Sequence, residues 1–281
     1  MRFAFVVPMA SEPEFVDLAV LGEQHGWDMV FTWEAAYRCD AWATLAAAAM
    51  CTDTIRLGTL ITPAARYRPW DLTQRVASVD RLSGGRVTLG VGLGAINANW
   101  LAVEDDEGRR VRAEKLDECL DIYAGLLGDD PFTYAGRHWS VRPVTELAPP
   151  PPIQRPHPPV WCVGALVPGR TAQPSLARAA RWQGVLPAVT GGQGNSGLTP
   201  LSLATIIEQV RELRRAAGRP WDGYDVVVEG DSFGQFGTVH GPPAAYADLG
   251  ATWWVESWWD LPDGPEGVAE IRRRVAAGPP G

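Results

Sequence analysis

Short β-branched and aromatic runs alternate with longer helical patterns along most of the chain, and this alternation limits the possible folds more than any other feature. Residues 2–8 form an apolar run that ends at a proline and predicts a buried strand, and the apolar spacing over 14–25 predicts the helix that follows. The further predicted strands cover 28–33, 55–62, 86–92, 160–163, 184–189, 224–229 and 252–256. The further predicted helices cover 41–50, 70–82, 111–127, 175–182, 200–217, 243–249 and 265–277.

Eight apolar strands that alternate with eight helices are the composition of a (β/α)8 barrel, an α/β TIM-barrel fold, and this is the predicted fold class. A doubly wound open sheet is the alternative, although it normally has fewer repeats and a switch point in its strand order. The length of 281 residues fits one barrel, so a single domain over 1–281 is expected.

Three segments interrupt the alternation. Residues 132–139 predict a small hairpin that turns at 135–136, and the proline-rich residues 149–159 predict a stiff extended connector. The connector is interpreted as an insertion rather than a domain linker, because the alternation resumes in step beyond it. The glycine-rich residues 191–197 predict a mobile loop over the catalytic face.

Composition and charge narrow the partners and the compartment. A formal net charge of −8 offers no basic field to a polyanion, so nucleic acid is not an expected partner. The four cysteines lie far apart without disulfide or metal-finger spacing, which favours a reducing compartment. Neither a signal peptide nor a membrane-length apolar run is visible, so we expect a cytoplasmic protein with no membrane partner.

Carboxylates follow three of the predicted strands at the end where barrel enzymes carry their active sites. Glu34 follows the second strand, and Glu229 and Glu256 are the last residues of the seventh and eighth. Burial of an unpaired carboxylate is costly, so each is expected to meet a ligand or a counter-charge, or else to lie at the solvated rim. Glu34, Glu229 and the loop residue His240 are the predicted catalytic residues.

Other chemistries receive little support. The histidines show no metal-ligand spacing, so no metal is predicted, and the chain has no G-x-S-x-G elbow for a serine hydrolase. The glycine run from Gly90 to Gly94 fails the dinucleotide-binding pattern because Asn97 stands in its last place. These glycines would instead let a flat ligand approach the backbone, or simply form a tight turn. Backbone N–H groups at Gly164 and Ala165 are candidates to bind a phosphate.

Several segments resemble the luciferase-like flavin-dependent oxidoreductases, a (β/α)8 family that includes bacterial luciferase, alkanesulfonate monooxygenases and deazaflavin-dependent dehydrogenases. The most specific is 78–94, which contains Leu-Ser-Gly-Gly-Arg-Val followed by Gly-Val-Gly-Leu-Gly. The others are 55–59 with Arg68-Pro69, 112–118 with 132–139, and 177–182 with Gly184.

The resemblance implies where a flavin would bind. The isoalloxazine ring would lie against Thr59, Leu60, Gly92 and Gly94, and a non-prolyl cis peptide is expected near 59–60. The phosphate would lie near Gly164 and Ala165, with help from Arg178.

A homodimer that packs through the helices flanking strands two to four is also expected, with the small residues 46–49 as a contact surface.

The chain departs from the family after the second strand. Many members carry Asp-His there, whereas residues 32–36 read Thr-Trp-Glu-Ala-Ala, so the imidazole used for proton transfer is absent. Glu34, Glu229 or His240 would have to replace it.

The predicted aromatic wall of the substrate pocket comprises Trp33, Trp254 and Trp258.

Three functions follow from the resemblance. The first is a two-component monooxygenase that takes reduced FMN from a separate flavin reductase and uses oxygen on a small organic substrate. The second is hydride transfer with coenzyme F420, whose acidic tail would favour a groove lined by Arg66 and Arg68. The third, prompted by the missing histidine, is a flavin-binding barrel without turnover.

Overall fold

The computed structural model describes residues 1–95, 99–144, 149–191, 197–233 and 242–280. The strands are β1 (Arg2–Val6), β2 (Met29–Thr32), β3 (Arg56–Thr59), β4 (Val87–Val91), β5 (Tyr134–Ala135), β6 (Ser140–Val141), β7 (Val160–Leu166), β8 (Gly184–Val189), β9 (Asp225–Gly230) and β10 (Trp253–Ser257). The helices are α1 (Glu12–Gln24), α2 (Ala41–Cys51), α3 (Pro69–Leu82), α4 (Arg109–Leu127), α5 (Pro174–Ala179), α6 (Pro200–Ala216), α7 (Pro243–Ala247) and α8 (Pro265–Ala276).

Eight parallel strands close into a barrel in the order β1-β10-β9-β8-β7-β4-β3-β2. The (β/α)8 prediction is confirmed and the open doubly wound sheet is wrong, because β1 pairs with both β2 and β10 and leaves no sheet edge. The closed barrel directs the C-terminal ends of all eight strands to one rim, where the βα loops begin.

Local signals at the helix starts explain several boundaries. Ser11 and Glu14 form a capping box at α1, in which the Glu14 carboxylate accepts the Ser11 backbone N–H at 2.8 Å. Asp40 caps α2 by accepting the N–H groups of Trp42 and Ala43, each at 2.9 Å. These caps fix where the loops after β1 and β2 end, and the second of those loops carries Glu34.

Aromatic side chains fill the lower half of the barrel interior, toward the N-terminal ends of the strands. The ring centroids of Trp161 and Trp253 lie 5.3 Å apart, and Phe31 packs against Trp161 at 6.0 Å. Gly184 makes room for this packing, since a Cβ there would lie 2.5 Å from Trp161. The interior is therefore closed below and open only toward the rim.

The pairing of β8 with β9 covers only the lower part of the two strands. The two strands pair only at Gly184 with Asp225 and at Val185 with Val226. Pro187 lies beyond the last pair, and a proline has no N–H to donate to a ladder. The ladder between β8 and β9 therefore stops at Val185, and Leu186, Pro187 and Ala188 beyond it line the cavity described below.

The insertion between β4 and β7 packs onto the helices. The hairpin turns over residues 136–139, one residue later than predicted, and Glu118 of α4 accepts the backbone N–H groups of its turn. The buried Asp80 carboxylate accepts the N–H groups of Ile153 and Gln154 at 2.5 and 3.0 Å. The strands on either side of the insertion, β4 and β7, pair with each other in the barrel, which supports the interpretation of the connector as an insertion.

Two sequence-based expectations remain partly outside this description. Residues 192–196 of the predicted mobile loop lie outside the described residues, as does His240. Within the described ranges, none of the helices has the length and apolar character needed to cross a membrane.

Arg86 connects three segments by hydrogen bonds: the end of α2, the residues before β3 and the end of α3. Its guanidinium donates to the backbone carbonyls of Ala49, Thr52, Ile55 and Ser83 at 2.6–3.0 Å. We expect Arg86→Leu to lower the free energy of unfolding by about 3 kcal/mol, because several partly buried carbonyls lose their donors. Chemical denaturation followed by circular dichroism measures the change.

The matched control for this variant is Arg215→Leu on the exposed face of α6. It should change stability by less than about 0.5 kcal/mol. Equal destabilisation by the two substitutions would show that the carbonyl contacts of Arg86 contribute nothing specific.

Candidate active site

A cavity of about 510 Å³ opens at the C-terminal rim of the barrel, a volume typical of small-molecule sites. Most of its wall is apolar, and the polar exceptions are carboxyl groups. The described residues that line it are Trp33, Glu34, Leu60, Ile61, Gly94, Ala95, Val163, Leu186, Pro187, Ala188, Val227, Glu229 and Trp259.

Glu34 lies on the cavity wall and is held by two hydroxyl groups. The Thr62 hydroxyl lies 2.6 Å from its Oε1, and the Tyr67 hydroxyl donates to its Oε2 at 2.7 Å. Burial raises the pKa of the Glu34 carboxyl, and the hydrogen bonds from Thr62 and Tyr67 oppose that rise only in part. Glu34 is thus a carboxyl that retains its proton at a higher pH than a solvated glutamate.

The hydroxyl chain beyond Glu34 accommodates both protonation states. The Thr62 hydroxyl also lies 3.0 Å from Thr59 Oγ1, which donates to the Gly90 carbonyl at 3.0 Å. When Glu34 is ionised, Thr62 donates to it, and when Glu34 is protonated it can donate to Thr62, which then donates to Thr59. A rotation of the Thr62 hydroxyl therefore allows Glu34 to give up or take a proton without leaving an unpaired group.

The second carboxyl on the cavity wall is Glu229, at the upper end of β9. It accepts the indole N–H of Trp259 at 2.5 Å, and the Trp259 ring packs edge-to-face on Trp33 at 5.5 Å and 86°. Burial raises the pKa of the Glu229 carboxyl, against the opposing hydrogen bonds from Trp259 and Ser257. Sequence analysis thus identified two acids that face the same cavity.

The predicted ring-binding residues divide into two groups. Leu60 and Gly94 line the cavity, and the peptide bond between Leu60 and Ile61 is cis, one bond later than expected. Thr59 and Gly92 lie behind the wall. A Cβ on Gly92 would meet Ile61 at 2.5 Å and Val163 at 3.0 Å, so this glycine admits protein side chains rather than a ligand.

The residues of the predicted phosphate site lie within β7 and on α5, and two of their polar groups already have partners in the protein. The N–H of Ala165 donates to Ser175 Oγ at 3.0 Å, and a Cβ on Gly164 would meet Val185 and α5. Arg178 is buried in a two-point ion pair with Asp117 of α4, at 2.6 and 2.8 Å. The Ala165 N–H and the Arg178 guanidinium thus have structural partners, and the assignment of Gly164, Ala165 and Arg178 to phosphate binding stays a prediction.

Two of the three predicted wall tryptophans are placed elsewhere. Trp254 and Trp258 are fully buried in the layer between the strands and the helices, and Glu256 accepts the Trp254 indole N–H at 2.8 Å. Side chains along β10 alternate between the two faces, so Trp253 points inward and Trp254 outward. Trp33 does line the cavity, and the second tryptophan there is Trp259, which the sequence analysis missed.

Side-chain parity along the strands could have identified several other missed residues. Leu186 and Ala188 share one face of β8 and Val227 shares a face with Glu229 on β9, so once Glu229 points inward its neighbour two residues away does too. Val163 shares a face of β7 with the inward-facing Trp161, whereas Ile61 had no comparable signal, because its position depends on how the loop after β3 passes β4.

A smaller cleft of about 260 Å³ adjoins the cavity beside the start of α4. It contains the cations Arg66, Arg68, Arg112 and Lys115, and Arg112 also donates weakly to the Gly94 carbonyl at 3.5 Å, which links the cleft to the cavity wall. The acidic segment 104–107 lies across it, with Glu104 2.5 Å from Arg66 and Asp106 3.2 Å from Arg112. The predicted basic groove is therefore present but neutralised by the chain's own acids.

The decisive comparison is with a family model described as luciferase-like monooxygenase, which matches residues 3–232. The chain belongs to the luciferase-like monooxygenase family. The family resemblance inferred from the sequence is thereby confirmed, and the chain is an enzyme of this family by descent. Within the described residues no group of three or more His, Cys, Asp or Glu side chains is placed to hold a metal ion.

Curated relatives of this luciferase-like chain include both oxygenases and dehydrogenases. It is 34% identical over 140 residues to 4-hydroxyprotoasukamycin monooxygenase of Streptomyces nodosus subsp. asukaensis, covering 45% of the chain and 36% of the relative. It is 33% identical over 142 residues to the F420-dependent glucose-6-phosphate dehydrogenase of Microbacterium testaceum, covering 47% and 42% respectively. The matches thus span about two fifths of the length of these relatives.

A solved structure of the same fold is the oxygenating constituent of 3,6-diketocamphane monooxygenase of Pseudomonas putida in complex with FMN. It superposes with a TM-score of 0.65 at 19% identity, over 82% of this chain and 67% of the other. At this identity the likeness concerns the fold, and the family's relatives together include F420-dependent and FMN-containing proteins.

Proposed function

We propose that this chain binds reduced FMN in the rim cavity and oxygenates a small organic substrate, with reduced flavin supplied by a separate flavin reductase. The supporting observation is a largely apolar 510 Å³ cavity, open only at the rim, with the proton-retaining carboxyl of Glu34 on its wall. When bound, reduced FMN would supply the electrons for oxygen chemistry.

The residues present fit a planar ring system. Leu60, Ile61, Val163 and Leu186 provide flat apolar surfaces, and Gly94 leaves its side of the wall without a side chain. These groups would bind the ring and exclude water, which strengthens every electrostatic contact inside the cavity. Glu34 would hold the proton that the absent histidine handles in other family members, using the Thr62 hydroxyl as its partner.

Coenzyme F420 is the second candidate, favoured by the cations of the adjoining cleft. Arg66, Arg112 and Lys115 could receive an acidic coenzyme tail if segment 104–107 moved away. The cavity does not suit the glucose 6-phosphate named for the F420-dependent relative. None of its described lining residues is a cation that could bind a sugar phosphate. The third candidate, a non-catalytic flavin-binding barrel, would share the cavity and lack turnover.

Anaerobic titration of the purified chain distinguishes these candidates. We expect reduced FMN to bind and to quench the fluorescence of Trp33 and Trp259, and reduced F420 to bind more weakly. Tighter binding of F420 would replace FMN with F420 in this proposal. Failure of both coenzymes to bind would refute the function, and binding without substrate oxidation in air would favour the non-catalytic barrel.

Two accompanying proposals concern assembly and location. Ala43, Ala47 and Met50 form an exposed apolar face of α2, whereas Ala48 and Ala49 of the predicted surface are buried against the barrel. We retain a homodimer through this face, which sedimentation velocity tests, since a monomer at micromolar concentration would contradict it. Fractionation of cells tests the proposed cytoplasmic location.

A further inference from the structure

Three side chains meet on one side of the cavity, and we call them the acidic aromatic corner: Trp33, Glu229 and Trp259. The Trp259 indole N–H fixes the Glu229 carboxyl at 2.5 Å, and the two indole rings meet edge-to-face at 5.5 Å. The corner therefore combines a carboxyl group with two electron-rich ring systems in a partly enclosed space.

We propose that the substrate is a compact apolar amine, whose ammonium group binds in the acidic aromatic corner. An ammonium group stabilises the ionised form of Glu229 and so opposes the burial that raises the pKa of this carboxyl, and the faces of tryptophan rings attract cations through their quadrupole. This inference rests on the proposed function, because it takes the rim cavity as the reaction site and names the class of substrate.

The charges around the cavity favour a cation over an anion. Among the lining residues that the structure describes, Glu34 and Glu229 are the titratable groups and both are acids. An anionic substrate would face two carboxyl groups, and the net charge of −8 would repel it before it arrived.

The rest of the wall selects for hydrocarbon. Leu60, Ile61, Val163, Leu186 and Val227 offer no hydrogen-bonding side chains to a sugar or another polyhydroxylated molecule. Hydroxyl groups buried there without partners would lose their hydrogen bonds to water. A ring or branched alkyl group bearing one nitrogen matches this lining, with the nitrogen at the corner and the hydrocarbon against Val227, while Leu60, Ile61, Val163 and Leu186 remain for the coenzyme ring.

Three probes of similar size test the charge preference directly: cyclohexylamine, cyclohexanol and cyclohexanecarboxylate. They share one ring and are cationic, neutral and anionic at neutral pH. Isothermal titration calorimetry on the full chain, with and without bound coenzyme, should show the amine binding at least about tenfold more tightly than the alcohol. The carboxylate should show no binding at the concentration that saturates with the amine.

Two variants place the effect at the corner. Glu229→Gln keeps the shape of the side chain and removes its charge, so it should lower the affinity for the amine about tenfold and leave that for cyclohexanol within about twofold. Glu208→Gln on the exposed face of α6 is the matched control and should leave all three affinities unchanged. The comparison of the three probes on the wild-type chain stands even if Glu229→Gln fails to fold.

The result that overturns the inference is equal binding of amine and alcohol, binding of the carboxylate, or no binding of the amine to either form of the protein. The coenzyme titration is a separate measurement. If a coenzyme binds and the amine preference is absent, the inference fails and the proposed function stands. If the amine binds and neither coenzyme does, the proposed function fails and the corner remains an ammonium site.

Discussion

Glu34→Gln is expected to reduce turnover by about 10²- to 10⁴-fold while the affinity for the coenzyme changes by less than about threefold. The amide keeps the size of the side chain and can still accept the Tyr67 hydroxyl, but it cannot exchange a proton with Thr62. Turnover is measured on an amine substrate or another substrate found by screening, and coenzyme affinity by fluorescence titration.

Infrared difference spectroscopy gives a readout of the same variant that needs no substrate. Because burial raises the pKa of Glu34, its protonated carboxyl band should persist above the pH range of a solvated glutamate and disappear as pH rises through the raised pKa. Glu34→Gln should lose the Glu34 component of that band and keep the components of Glu229 and Glu256, whose pKa burial also raises, whereas the exposed control Glu266→Gln on α8 should keep the whole band. Unchanged turnover in Glu34→Gln would make Glu34 a bystander at the rim.

Ala188→Trp is expected to weaken coenzyme binding by about 100-fold or more, which corresponds to roughly 2.7 kcal/mol. Ala188 lines the cavity at the upper end of β8, and an indole there would occupy the space assigned to the ring. Because the cavity is empty at that point, the substitution should cost little stability, unlike the same change in a packed core. Equilibrium titration and a thermal melt of the same sample measure the two effects.

Leu201→Trp is the matched control for this steric test, since Leu201 is 80% exposed on α6. It should bind the coenzyme as the wild-type chain does. Normal binding by folded Ala188→Trp would mean that the coenzyme lies outside the rim cavity.

The fold could be predicted from the sequence because its signals are local. Each strand is a short apolar run, and residues such as Ser11 and Asp40 mark the helix starts through their own side chains. The eight predicted strands correspond one to one with the barrel strands, with boundaries that differ by a few residues. Closure follows from the number of repeats, which the sequence shows directly.

The site was harder to predict because it depends on which way side chains point. Glu34 and Glu229 were found as charges at strand ends, yet Trp254 and Trp258 were misplaced because a cluster of tryptophans does not show which face each occupies. Gly164 and Arg178 were assigned to a phosphate site. In the fold Gly164 packs against Val185 and Arg178 pairs with Asp117, and both of these residues lie on other elements. Contacts between residues on different elements become visible only in the folded structure.

The proline in β8 has a consequence for how this enzyme can change. Beyond Val185 the ladder between β8 and β9 stops, whereas residues 186–188 stay paired with residues 163–165 of β7, so one backbone ladder holds β8 while side chains at 186–188 enlarge or reshape the cavity. New substrate preferences can therefore arise by substitutions at these positions, while the aromatic packing around Trp161 continues to stabilise the barrel.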